Sequence, residues 1–384
     1  MAGGQLTETA DEVAGVRARW VVAPESTQEA AEVLADAAAR RLAVVIRGAG
    51  TQLDWGNPPA RLDLIVDTAR LTGVVEHAAG DLITVVRAGT TMGALAEHLG
   101  TQQLALDAAP AASVGGTVAV NASGPRRMLY GTARDLLIGI TIVRPDGKIA
   151  RAGGKVVKNV AGYDLGKLLI GSYGTLGLIT ECAFRLHPRP AAAVVVRARP
   201  ASPAGAVAAV LAAQVVPSAL EIDAPSGGDV EVAVLVEGSA AGVAERAATV
   251  AELLGGDAAE GVPAWWGEPP WPPGGVGVKV TAPLSRVPDL IAVARDAGVP
   301  IRGSAGSGVL YAGLPLDRTV TLVELLRAAA VRSGGHAVVL TAPAGVRQSL
   351  DMWGPVPALE LMRRVKDQFD PGRRFAPGRF VGGI

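Results

Sequence analysis

The stretch "RGAGTQLDWG", residues 47–56, follows the apolar run "LAVVI" of residues 42–46 and reads as a strand entering a glycine turn. Such a turn invites a nucleotide-binding reading, and the two commonest versions fail. A dinucleotide fingerprint needs a third glycine that opens a helix, but Leu53 stands where it belongs and "DWGNPP" cannot open one. A Walker A loop needs Gly-Lys-Ser/Thr, which is absent. Two readings remain: an ordinary tight turn, for which glycine is the default residue, or a nest of backbone N–H groups that receives an anion without a helix behind it.

Two further segments favour the second reading. In "SVGGTVAVNASG", residues 113–124, Gly115 and Gly116 remove Cβ atoms where a flat or charged ligand could touch backbone, and Ser113, Thr117 and Asn121 add hydrogen-bonding groups. Residues 153–181, "GGKVVKNVAGYDLGKLLIGSYGTLGLITE", are dense in glycine and polar residues for a segment between strands. Three such loops in one half of the chain suggest one extended ligand.

Composition narrows the partners. The 36 Lys plus Arg balance 36 Asp plus Glu, so no basic field draws the protein onto nucleic acid. The single cysteine, Cys182, excludes an internal disulfide and a cysteine-ligated metal cluster. The first residues, "MAGGQLTETADEVAG", lack the apolar core of a secretory signal, and no apolar run reaches the roughly 20 residues of a membrane span; a cytoplasmic setting is expected. With 384 residues, 49% of them hydrophobic, two compact units are expected.

The pattern before residue 190 is strand-rich. Residues 26–40 form a helix with Ser26 as cap, 91–100 a second closed by Gly100, and "PDGK" at 145–148 a hairpin turn. "DAAPAASVGGTVAVNASG", residues 107–124, reads as a loop. The Pro-rich "HPRPAAA" at 187–193 marks a boundary, after which strands and helices alternate in an α+β unit suggestive of a duplication. In "PALELMRRVKDQF", residues 357–369, Leu359, Met362, Val365 and Phe369 share a helical face. The loop "WWGEPPWPP", residues 265–273, is either packed or an interface or lid.

The residues now carry a resemblance. "VVIRGAGTQLDWG", "ASVGGTVAVNASG", "RPDGK", the segment 153–181 and "FDPGRRFAPGR" at 369–379 resemble the PCMH-type FAD-linked oxidases of the vanillyl-alcohol oxidase superfamily, above all the FAD-binding subunits of glycolate oxidase (GlcE type). The resemblance implies an α+β protein: an FAD-binding domain at 1–190, an inserted α+β cap domain at 191–345, and a segment at 346–384 returning to the first domain, with FAD between domain and cap. It implies that Arg47, Gly48, Ala49, Gly50, Thr51 and Gln52 wrap the FAD pyrophosphate. Ser113, Val114, Gly115, Gly116, Thr117 and Asn121 would continue toward the flavin, and Gly177 and Ile179 would meet the adenosine side. Covalently flavinylated members carry histidine where this chain has Thr51, so FAD is expected to be noncovalent.

Relatives that oxidise D-2-hydroxy acids alone carry a His-rich motif and an Asn-Pro-Gly ending. Here His77, His98, His187 and His336 are scattered and Ala376 replaces the Asn. The implied role is therefore oxidation of a small hydroxy acid, glycolate, alongside a catalytic FAD paralogue and an iron–sulfur subunit, with no metal in this chain and no assigned catalytic base. A standalone oxidase or dehydrogenase and a non-catalytic scaffold remain open. Lys158, Arg374 and Arg379 could bring positive charge to the flavin, and His336 could serve as a base.

Overall fold

The computed structural model describes residues 6–154, 164–259 and 261–384. They divide into two compact units: residues 6–123, 131–189 and 355–384 in the first, and 124–130 with 190–354 in the second.

Beside two two-stranded ribbons, Glu12–Val13 with Val16–Arg17 and Gln102–Gln103 with His187–Pro188, the first unit is built on two main sheets. In the smaller, Trp20–Val22, Leu64–Asp67 and Val44–Arg47 run parallel, with Thr7–Glu8 antiparallel at one edge. Val44, Leu64 and Val66 pack against the helix Thr27–Ala39, whereas Val45 and Ile65 pack with Val13, Ala18 and Ala376 on the other face. Burial on both faces explains why "LAVVI" is a continuous apolar run and not an alternating one. Ser26 caps the helix, accepting from the Glu29 amide at 3.1 Å. Glu29 itself accepts from the Glu25 amide, so the capping box suggested by the spacing closes one residue early.

The larger sheet is antiparallel, in the order Ile149–Gly153, Leu137–Val143, Leu178–Arg185, Ile83–Arg87, Val74–Ala78. The hairpin at Asp146-Gly147 forms as the dipeptide predicts, with Gly147 at φ +82°. One expectation fails. Residues 114–120 are not loop but the helix Val114–Val120, capped by Ser113, which accepts from the Gly116 amide at 3.3 Å. Two glycines weaken a helix by about 1 kcal/mol each against alanine. Here the cap and the complete burial of Val114 and Val118 offset that cost.

The tail ends in the helix Leu359–Phe369 and a turn that returns to the small sheet, where the Val44 amide donates to Arg374 O at 2.8 Å and the Ala376 amide to Val44 O at 2.7 Å. Val365 and Phe369 pack on the core beneath the large sheet, but the helix's fully buried residue is Lys366, which the apolar spacing does not mark. Its ammonium donates to Asp370 at 2.8 Å, to Thr175 O at 2.7 Å and to Phe375 O at 2.9 Å, so a buried charge is paired and fully hydrogen-bonded.

The second unit is an eight-stranded antiparallel sheet whose helices cover one face. Its order is Asp257–Ala259, Ala192–Ala198, Glu231–Gly238, Ala219–Ala224, Ile301–Ser304, Val309–Leu314, Val276–Thr281, His336–Thr341. Read outward from the central pair, Ala219–Ala224 against Ile301–Ser304, both halves repeat one strand sequence, and along the chain each runs β-α-β-β-α-β. The alternation noted in the sequence is thus a structural repeat, although the strand Ile301–Ser304 is too short a signal to be read there.

Trp265 and Trp266 pack against Val195, Ala219, Ala233 and Leu235, and Trp271 lies over Gly277. The tryptophan loop is therefore packed.

Candidate FAD site

The turn after Val44–Arg47 and the start of the helix Val114–Val120 are joined by one hydroxyl. Ser113 Oγ accepts from the Ala49 amide at 3.2 Å as well as from Gly116. A Cβ on Gly48 would run into that same oxygen, and a Cβ on Gly115 would meet Ala88 Cβ at 2.7 Å. Both glycines are therefore required by the close approach of a neighbouring segment, the Ser113 side chain at Gly48 and Ala88 at Gly115. Gly50, at φ +79°, carries the turn onward without starting a helix, as the failed fingerprint implies.

These elements wall a cleft with about 720 Å³ of empty, partly solvent-open space. Of the residues singled out in the sequence, Gly48, Ala49, Gly50, Thr51, Gln52, Ser113, Gly115, Gly116, Gly177 and Ile179 line it. Four others do not. Arg47 turns away to pair with Asp11 at 2.6 Å and Asp67 at 2.7 Å; burial works to lower its pKa, but those two carboxylates outweigh it and hold the guanidinium above its ordinary value. Val114 is core, and Thr117 is buried with its hydroxyl donating to Ser113 O at 2.9 Å. Asn121 closes the helix in the left-handed region at φ 52°.

The remaining wall escapes sequence reading. Thr68 and Ala88 come from strand ends, where Gly89 lets the two segments meet because a Cβ on it would run into Thr68 O, and Tyr173-Gly174 forms a turn with both residues at positive φ. That turn is anchored on both sides: the Tyr173 amide donates to Ala119 O at 2.9 Å, and Lys366 grips Thr175 O. Arg379, considered as a charge near the flavin, does line the cleft, with its guanidinium donating to Leu53 O and Trp55 O, both at 2.7 Å. Arg374 instead donates to Leu42 O and Pro145 O, and burial lowers its pKa. Lys158 lies outside the described residues. His336 is exposed on an edge strand of the second unit. Among the described residues no group of three or more His, Cys, Asp or Glu is placed to hold a metal ion.

The lining suits a long, anionic, partly flat cofactor. Gly48, Gly50, Gly116, Gly174 and Gly177 leave backbone bare, Ser113 and Thr51 add hydroxyls, and Arg379 supplies a cation. Among the described residues no carboxylate lines the cleft. Among them, too, Asn121 Oδ1 is buried without a hydrogen-bond partner beside this wall, an acceptor available to a donor that those residues do not supply.

Comparison with known proteins agrees with this chemistry. Residues 18–153 match the family described as FAD binding domain. The chain is 37% identical over 159 residues to the glycolate oxidase subunit GlcE of Escherichia coli, covering 40% of this chain and 45% of that protein. It is 32% identical over 214 residues to the glycolate oxidase subunit GlcD of Bacillus subtilis (54% of this chain, 46% of that protein) and 36% identical over 172 residues to a D-lactate dehydrogenase of Archaeoglobus fulgidus (44% and 39%). The matches thus span less than half the length of each of these relatives. Among solved structures, an alkyldihydroxyacetonephosphate synthase aligns over 94% of this chain and 76% of its own with a TM-score of 0.68 at 16% identity, a likeness of fold. The fold is therefore that of a PCMH-type FAD-binding domain joined to a second α+β unit, and the cofactor of this chain is FAD.

Proposed function

We propose that this chain is the FAD-binding subunit of a glycolate oxidase or dehydrogenase, within the broader class of FAD-linked hydroxy-acid oxidases and dehydrogenases. The observation that carries the reading is the backbone-lined cleft between Gly48 and Ile179, in a chain similar to two glycolate oxidase subunits. In this proposal Gly48 to Gln52 receive the pyrophosphate, the Ser113–Gly116 backbone continues toward the flavin, and Gly177 with Ile179 faces the adenosine. Arg379, fixed by two carbonyls, offsets the negative charge of the bound diphosphate. Thr51 in the first turn offers no histidine for a covalent link, so these contacts alone retain the cofactor.

Bound FAD supplies a two-electron acceptor: the hydroxy acid loses a hydride equivalent from its α-carbon and a proton from its hydroxyl, and becomes the oxo acid. An iron–sulfur acceptor for those electrons would have to lie on a partner subunit, because one buried cysteine, Cys182, cannot ligate a cluster. Among the described residues no helix is long and apolar enough to cross a membrane.

The test is anaerobic addition of glycolate to the FAD-loaded chain, with and without candidate partner subunits, followed by absorbance. Flavin bleaching that requires the partners supports the proposal. Bleaching of the isolated chain would replace it with a standalone dehydrogenase, a reading favoured by the likeness to D-lactate dehydrogenase. A chain that never reduces its flavin in either setting would be a scaffold.

A further inference from the structure

The helix-free face of the second unit's sheet carries a row of polar residues, one from each neighbouring strand. Read across the register, the row is Lys279, Tyr311, Arg302, Asp223, Glu231. Its centre is an ion pair, Arg302 to Asp223 at 2.9 Å, which joins the two halves of the structural repeat. One strand outward in the first half stands Glu231, and it neutralises the cations beyond it, Arg197 at 2.6 Å and Arg199 at 3.2 Å. One strand outward in the second half, the equivalent place is held by Tyr311, which has no negative charge to offer. Lys279, the cation beyond it, is left half-buried with no ion pair or hydrogen bond among the described residues.

The surroundings of Lys279 add positive charge. Arg127, from the segment 124–130 that belongs to this unit, donates to the Tyr311 hydroxyl at 3.1 Å and to Gly124 O at 2.8 Å. Burial pushes the Lys279 ammonium below its ordinary value; the Tyr311 phenol beside it works against that shift, and Arg127 adds to it. Trp271 closes one side, lying over Gly277 in the same strand as Lys279 with its ring 6.2 Å from that of Tyr311. Two cations, a phenol whose proton is free to be donated because its oxygen accepts from Arg127, and an indole wall thus converge where the other half of the sheet has a carboxylate.

We propose that Lys279, Tyr311 and Arg127 form a binding site for a small organic carboxylate, which takes the place that Glu231 fills in the first half of the repeat. Lys279 and the Tyr311 hydroxyl donate to its two oxygens, Arg127 holds the phenol in position, and Trp271 covers the ligand's carbon skeleton. The choice of a carboxylate over other oxyanions rests on the proposed function; the unpaired cation itself does not.

Calorimetric titration of the FAD-loaded full chain with glycolate, lactate and inorganic phosphate tests the site. Binding of glycolate or lactate is expected to weaken by about tenfold or more in Lys279→Met and in Tyr311→Phe, to survive in Lys279→Arg, and to be unaffected in Lys148→Gln, an exposed lysine of the first unit. FAD content and thermal midpoint, read on each variant, guard against misfolding, and Lys279→Gln stands in should the Met variant lose FAD. Unchanged affinity in Lys279→Met, or in Lys279→Gln where it stands in, or no carboxylate binding by the parent chain, would overturn the site; phosphate binding as tightly as glycolate would overturn the carboxylate assignment. Flavin reduction is read separately: glycolate bound without reduction refutes the proposed function and leaves the site, and reduction that persists in Lys279→Met with unchanged affinity refutes the site alone.

Discussion

The two proposed sites would meet negative charge by contrasting means. In the first, bare backbone makes up most of the cleft wall, with Arg379 as the one cation lining it among the described residues, while Arg47 is already neutralised by Asp11 and Asp67. In the second, the backbone is committed to strand pairing, and cationic side chains stand on the sheet face with one of them unanswered among the described residues. Backbone donors cost no rotamer entropy and are stiff, which suits a cofactor that stays bound; side-chain donors adapt and suit a ligand that comes and goes.

The contrast breaks most readily at Lys366. This buried cation is fully paired, unlike Lys279, and it holds the turn that carries Tyr173 and Gly174 into the cleft wall. Lys366→Met leaves Asp370 buried and unpaired and should destabilise the first unit by about 3–5 kcal/mol, seen in chemical denaturation, with loss of FAD. A loss under about 1 kcal/mol would show that the wall does not depend on the pair.

Gly115→Ala tests the backbone side directly. Its new methyl would press on Ala88 Cβ and O, and overpacking of this kind costs about 1–3 kcal/mol. FAD affinity, measured by fluorescence recovery on release, should fall with it. Unchanged affinity would mean that the approach of these two elements does not shape the site.

Lys279→Met sharpens the other side with the opposite sign. Removing a half-buried, unpaired cation should raise stability by about 1 kcal/mol, a gain typical of residues kept for binding. Because burial depresses the folded-state pKa of Lys279, its charge is a penalty while protonated. The gain should therefore be full below that depressed value, shrink as pH rises through it, and vanish above the ordinary lysine range. Denaturation of both forms near neutral pH and again in the ordinary lysine range measures it; a loss of stability near neutral pH would show that Lys279 is satisfied in the fold.

The smallest effect concerns Cys182. It is completely buried in the large sheet, and burial pushes its thiol well above the usual range, so alkylating reagents should leave the native chain unlabelled and react on unfolding. FAD should slow that labelling further. Rapid labelling of the native chain would show that the first unit opens without unfolding.

Legibility in the sequence follows the same division. Glycines forced by the close approach of neighbouring segments leave a visible trace, so most of one cleft wall, from Gly48 to Gln52 with Ser113, Gly115 and Gly116, can be read from the amino-acid sequence alone. The helix Val114–Val120 cannot, because its two glycines argue against a helix and only tertiary burial of Val114 and Val118 overrides them. Adjacency in sequence puts Arg47 in the site, whereas strand alternation turns its side chain toward Asp67 on the neighbouring strand. The row on the second sheet leaves no trace at all: Lys279, Tyr311 and Arg127 are far apart in sequence, register brings the first two together, and the short helix Arg127–Tyr130 brings the third.

The central claim, that the glycine-lined cleft holds FAD by noncovalent contacts, is tested by an absorbance spectrum of the gently purified chain before and after acid precipitation. The account predicts the two visible bands of oxidised flavin, with all the yellow colour passing to the supernatant as intact FAD. A colourless chain that takes up no added FAD, or a flavin that stays with the precipitate, would contradict it.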